Sequence, residues 1–160
     1  MKSVFTIILL FIGLSVFGKD EVVATSSFKV TGLVSRETEI RINDLLHYKQ
    51  DTLAGIDAKS KIKGVLLKTI LDAVGITNVK HKEYGQVIII LTASDGYINT
   101  YTWNELYKTD VGNQVLIITE IDGKIISDMK DRILAFSMAD IGSAARHLKG
   151  LSKIEIRKIQ

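Results

Sequence analysis

The chain has 160 residues, 46% of them apolar, 7% aromatic and 24% charged, with a formal net charge of +3. That length and apolar content match one folded domain with its own core and exclude a disordered chain. The near balance of charge, with no lysine and arginine cluster interleaved with aromatics, excludes the footprint of a nucleic-acid binder.

Lys2 followed by an apolar stretch over residues 4–17 reads as a secretory signal peptide, cleaved near Gly18. The stretch falls short of the ~20 residues that span a bilayer, so no stable membrane span is expected after its removal. Loss of Lys2 leaves 20 basic against 18 acidic residues. The chain has no cysteine, which excludes disulfides, thiolate metal sites, cysteine nucleophiles and lipid attachment to cysteine. The expected organisation is a signal peptide at 1–18, a flexible polar lead at 19–27 and one domain at 28–160. The expected location is periplasmic or secreted.

From Phe28 the pattern becomes structural. Phe28, Val30, Leu33 and Val34 around Gly32 predict a first strand, and the alternation of Ile40 and Ile42 predicts a second over 37–42. Asn43 or Asp44 is expected to cap a short helical turn, with 49–58 extended and irregular. Val65, Leu66, Ile70, Leu71 and Val74 stack on one helical face, which predicts a helix over 65–74 stopped by Gly75. The aliphatic run 87–91 predicts a core strand, turned back by Asp95-Gly96 into a strand over 97–101. Thr102 and Glu105 have the spacing of a capping box opening a helix at Trp103. Asp122-Gly123 marks a second hairpin between 115–121 and 124–126, and strands are expected at 133–137 and 153–159. The fold class is α+β: a mixed, strand-rich single domain.

Four stretches, taken in order, carry a resemblance. "IKGVLLKTILDAVGI" (62–76), "ASDGYINTYTWNEL" (93–106), "VLIITEIDGKII" (115–126) and "ADIGSAARHLKGLSKIEI" (139–156) are similar to successive segments of the sulfite-oxidase-type molybdopterin-binding domain. The resemblance covers about 28–159 and rests on the order of the segments. It implies that family's fold and a molybdopterin cofactor. The family's protein ligand to molybdenum is a cysteine in the region corresponding to 49–62; this chain has none, and it has no proline where the family has proline-containing turns. No metal ligand is therefore assigned.

The resemblance places contacts to a pterin phosphate at Arg146, His147 and Lys149, and one wall of the pocket at Asp95, Gly96 and Tyr97. A guanidinium forks onto phosphate oxygens and an imidazole donates to them. Each group also has a plainer reading: Asp95-Gly96 as a hairpin turn, and 146–149 as a solvated basic turn. His47 and His81 belong to no ligand pattern, and no phosphate loop, nucleophile elbow or zinc-protease motif occurs.

The function expected is a molybdopterin-binding-like module that takes an anionic small molecule. One alternative is an active molybdopterin-dependent oxidoreductase with unconventional metal ligation. Another is an extracytoplasmic domain that meets a protein partner through an edge strand or the aromatics Tyr101, Trp103 and Tyr107. If Asp95-Gly96-Tyr97 is more than a turn, it should share the rim of one cavity with the bend 140–149.

Overall fold

A computed structural model describes residues 22–55, 57–141 and 144–159. The expected signal peptide lies outside the described residues, as do residues 19–21 of the lead and Gly142 and Ser143 of the basic bend.

The chain opens with an antiparallel pair, β1 (Ser27–Gly32) and β2 (Thr38–Arg41). Phe28 and Val30 point inward while Lys29 faces solvent, the period-2 pattern of a half-buried strand. A single helical turn, α1 (Ile42–Leu45), follows. Its cap differs from the expectation: Arg41 holds the N-cap position, and Asp44, three residues in, accepts the Arg41 backbone N–H at 2.8 Å.

Next come β3 (Asp51–Ala54) and β4 (Lys61–Leu66), then α2 (Leu67–Val74). The helix is shorter than the periodicity suggested. Val65 and Leu66 extend β4 instead, in register with Ile117 and Leu116. Gly75 does end the helix, at φ 70°, donating its N–H to Leu71.

The second half runs β5 (Val87–Ala93), β6 (Ile98–Thr102), α3 (Trp103–Lys108), β7 (Val115–Ile121), β8 (Lys124–Ile125), β9 (Leu134–Ser137), β10 (Leu148–Lys149) and β11 (Leu151–Lys158). The capping box of α3 is formed: the Glu105 N–H donates to Thr102 Oγ1 at 3.1 Å, and the Thr102 N–H donates to Glu105 Oε2 at 2.9 Å. Asp122 and Gly123 take φ of 49° and 83°, the left-handed pair that a two-residue hairpin requires.

Two sheets result. The first has the order β2-β1-β11-β5-β6, and β1 with β11 is its one parallel pair. The last strand thus sits between the first and fifth, at the sheet centre. The second has the order β10-β9-β7-β4-β3, with β8 on the end of β7. The main core lies between Phe28, Val30, Ile89, Leu91, Ile154 and Ile156 of the first sheet, Val65, Ile117 and Ala135 of the second, and Leu67, Ile70 and Leu71 of α2. A smaller cluster of Ile62, Leu66, Leu116, Ile118, Met129 and Leu134 covers the other face of the second sheet. β7 is therefore buried on both faces over residues 115–119, which is why 115–118 read as an unbroken aliphatic run. β5 differs: its Ile88 and Ile90 are half-exposed on the outer face.

The described part of the lead is held to the domain. The Val23 N–H donates to Ser94 Oγ at 2.9 Å, the Ser94 hydroxyl donates back to Val23 O at 2.6 Å, and Thr25 bridges Arg132. The architecture is a mixed, strand-rich α+β domain.

Candidate functional site

The Asp95-Gly96 turn is built as its residues dictate. Asp95 Oδ1 accepts the Tyr97 N–H at 2.9 Å, the Gly96 N–H donates to Ala93 O at 3.1 Å, and Gly96 takes φ 81° with open space where a Cβ would stand. The turn projects Tyr97 outward, and its hydroxyl donates to the backbone carbonyl of Ala145 at 2.6 Å. That bond joins the turn to the segment carrying Arg146, His147 and Lys149. Asp95, Tyr97, His147 and Lys149, with Val22 of the lead, line one cleft of about 210 Å³.

Behind the cleft β10 and the start of β11 fix the segment. Gly150 stands at φ 65°, and a Cβ there would come within 2.6 Å of Ser94 Oγ and 2.9 Å of Val23 O. Only a residue without a side chain lets the lead, the end of β5 and the β10–β11 junction meet so closely.

The three basic residues take different directions. Lys149 reaches Asp131, Nζ to Oδ2 at 3.4 Å, with its side chain largely exposed. His147 stacks on Phe136 at 4.1 Å between ring centroids and 8° between planes, with Nε2 3.3 Å from Ser137 O. Arg146 turns inward and is not among the residues lining the cleft. Its Nε and Nη2 fork onto Asp140 Oδ1 at 2.8 and 2.6 Å, its Nη1 reaches Glu105 Oε1 at 3.2 Å, and its guanidinium lies 4.8 Å above the Tyr101 ring.

This inward cluster differs from the solvated basic turn that the sequence suggests. The Arg146 side chain is 25% exposed and that of Asp140 only 7%. Burial pushes the Asp140 carboxyl upward, but hydrogen bonds from Arg146 and Ser137 outweigh it and hold the group below its usual range. Burial raises Tyr101 to about 12, so its hydroxyl stays protonated at neutral pH. Glu105 serves two ends at once: Oε2 caps α3 and Oε1 meets Arg146. The capping box was the one signal available. Its spare oxygen is what draws the arginine in. A phosphate approaching Arg146 has to compete with two carboxylates already seated on it.

The residues fit a molybdenum centre poorly. In the segment 49–62, Asp51 pairs with Lys49 at 3.6 Å, and Asp57 accepts the Lys59 and Ser60 N–H groups at 3.0 and 2.9 Å. No group of three or more His, Asp or Glu side chains suited to a metal ion forms among the described residues. A soft thiolate is missing from the whole chain. No helix among the described residues is long and apolar enough to cross a membrane.

No protein-family model matches the sequence, and no curated protein matches it. Solved structures do. The sulfane dehydrogenase SoxCD from Paracoccus pantotrophus is similar in fold, with a TM-score of 0.59 and 14% identity, covering 81% of this chain and 37% of that one. This gives the strand-rich α+β fold a structural neighbour in the sulfite oxidase family. At 14% identity the likeness concerns the fold alone, and this chain spans little more than a third of the neighbour's length.

Proposed function

We propose that the chain is an extracytoplasmic binding module on a molybdopterin-enzyme fold that takes an anionic small molecule in the cleft between Tyr97 and Lys149. The observation carrying this reading is the Tyr97 hydroxyl on Ala145 O, which makes the Asp95 turn and the basic segment two walls of one cleft. Lys149, 58% exposed and paired to Asp131 at a distance of 3.4 Å, supplies the cation, and His147 a second donor. Arg146 acts here as a positioning residue, because its bonds to Asp140 and Glu105 hold the segment in place.

The reading involves no redox step. A phosphorylated pterin added to the full chain is expected to raise its melting temperature by linkage, and Lys149→Gln to remove most of the rise. The absence of any rise at millimolar pterin would sink the proposal. A rise of equal size in the variant would move the ligand elsewhere. Stoichiometric molybdenum in the purified protein would instead support the oxidoreductase reading.

One observation favours a second reading, a surface for a protein partner. The outer face of the first sheet carries Ile98, 55% exposed and opposite Thr92, with the half-buried Ile90 and Ile88 further along β5 on the same face. The aromatic patch expected at 101–107 is less open: Tyr101 is buried, and Trp103 stacks on Tyr84 at 4.5 Å and on Tyr107 at 4.8 Å.

A further inference from the structure

A second cleft, sharing no residue with the first, lies where the β1–β2 pair meets the loop before β9. Its volume is about 450 Å³, and its lining includes Ser27, Glu39, Arg41 and Arg132. We propose that it binds a small molecule carrying a carboxylate or phosphate group, clasped between Arg41 and Arg132.

The two arginines reach the cleft from separate parts of the chain. Arg41 closes β2, opposite Ser27 in the register of the pair. Arg132 enters from the loop before β9, and its backbone is bridged to Thr25. Arg146 and Arg157 each bind a carboxylate at 2.6 and 2.7 Å. Among the described residues, no ion pair or side-chain hydrogen bond engages the guanidinium of Arg41 or Arg132. Two planar forks lining one cleft without a carboxylate on either make a receptor for oxyanions.

The backbone points the same way. Arg132 holds φ at 50°, the left-handed region that side chains rarely adopt. Glycine or asparagine would serve a simple turn there with less strain; an arginine keeps its side chain at the cleft.

The rim also limits the ligand. Glu39 faces the same cleft, accepting the Ser27 hydroxyl at 2.6 Å, so two cations stand against one anion. That balance disfavours a highly charged polyanion. It fits an oxyanion at one end of a small molecule and a hydroxyl or amine donor at the other, which Glu39 accepts. The volume is in the range of small-molecule sites, about 300–1,000 Å³.

Titration calorimetry on the full chain with inorganic phosphate and, separately, L-malate distinguishes the two oxyanion sources. Saturable binding of at least one is expected, weakened about tenfold or more by Arg41→Gln and by Arg132→Gln, the loss of a charge-assisted fork. Both arginines are exposed, so both variants should fold as the parent does. Glu39→Gln is the second arm and should tighten phosphate binding by removing the opposing charge. Lys124→Gln, exposed on β8 and lining neither cleft, should leave the affinity unchanged. The proposal is overturned if neither probe saturates, if binding survives both arginine substitutions together, or if Lys124→Gln weakens it as much as they do.

Discussion

Arg146 and Arg132 are the same residue in opposite circumstances. Arg146 is three-quarters buried, forked onto Asp140, touching Glu105 and laid over Tyr101. Arg132 is exposed, backbone-strained and without a carboxylate partner among the described residues. The first guanidinium is consumed by the fold; the second remains available. Basic residue type alone therefore says little about a ligand. What decides is whether the protein's own carboxylates have already satisfied the charge.

The largest effect that tests this contrast is on stability. Arg146→Ala leaves the Asp140 carboxylate, 7% exposed, without its cation. The cost should be about 2–4 kcal/mol, at the low side of values for breaking a buried pair because Arg146 and Glu105 keep some contact with water. Arg132→Gln removes no partner and should change stability by less than about 0.5 kcal/mol. Urea unfolding of the two variants checks both numbers, and equal losses would erase the distinction.

A smaller effect lies in the pH dependence. The folded Asp140 carboxyl is held below its ordinary value, so its contribution to stability is present above the unfolded pKa of about 3.9 and fades as pH falls through the folded value. Unfolding free energy should therefore drop on acidification below about pH 5, and less steeply in Asp140→Asn. Glu155, held low by Arg157 and Lys153, titrates in both proteins and cancels in the comparison. Matching slopes for parent and variant would show that Asp140 does not carry the linkage.

The parts of this molecule that were legible in the sequence are local. The Thr102–Glu105 box, the Asp122-Gly123 hairpin and the Gly75 stop each need only residues a few positions apart, and all three form. The start of α2 is ambiguous in the sequence because Val65 and Leu66 suit a helical face and a doubly buried strand equally; pairing with β7, about fifty residues on, decides it. The basic triplet 146–149 was visible as composition, but its side chains diverge toward Asp140, Phe136 and Asp131, partners chosen by the β9–β10 pairing. The Arg41–Arg132 cleft had no signal at all. Its two arms stand ninety-one positions apart, and nothing in the residues flanking Arg132 announces a left-handed backbone.

The smallest expected effect concerns the link between the two walls of the first cleft. Tyr97→Phe removes the hydroxyl that donates to Ala145 O and nothing else, since the ring is half-exposed and the turn is held by Asp95 and Ala93. An exposed hydrogen bond of this kind contributes about 0.5–1 kcal/mol, so global stability should barely move. The local consequence should be larger than the global one. Without the tether, the segment 144–147 is still anchored by Arg146, but its cleft-facing side is released. Hydrogen exchange should then quicken at residues 144–147 and stay unchanged at Asp140's neighbours in β9. If exchange rises equally across both, the Tyr97 bond and the Arg146 cluster form one unit, and the contrast between a wall of the cleft and an internal clasp does not hold. If it rises at neither, Arg146 alone fixes the segment and the Asp95-Gly96 turn is only a turn.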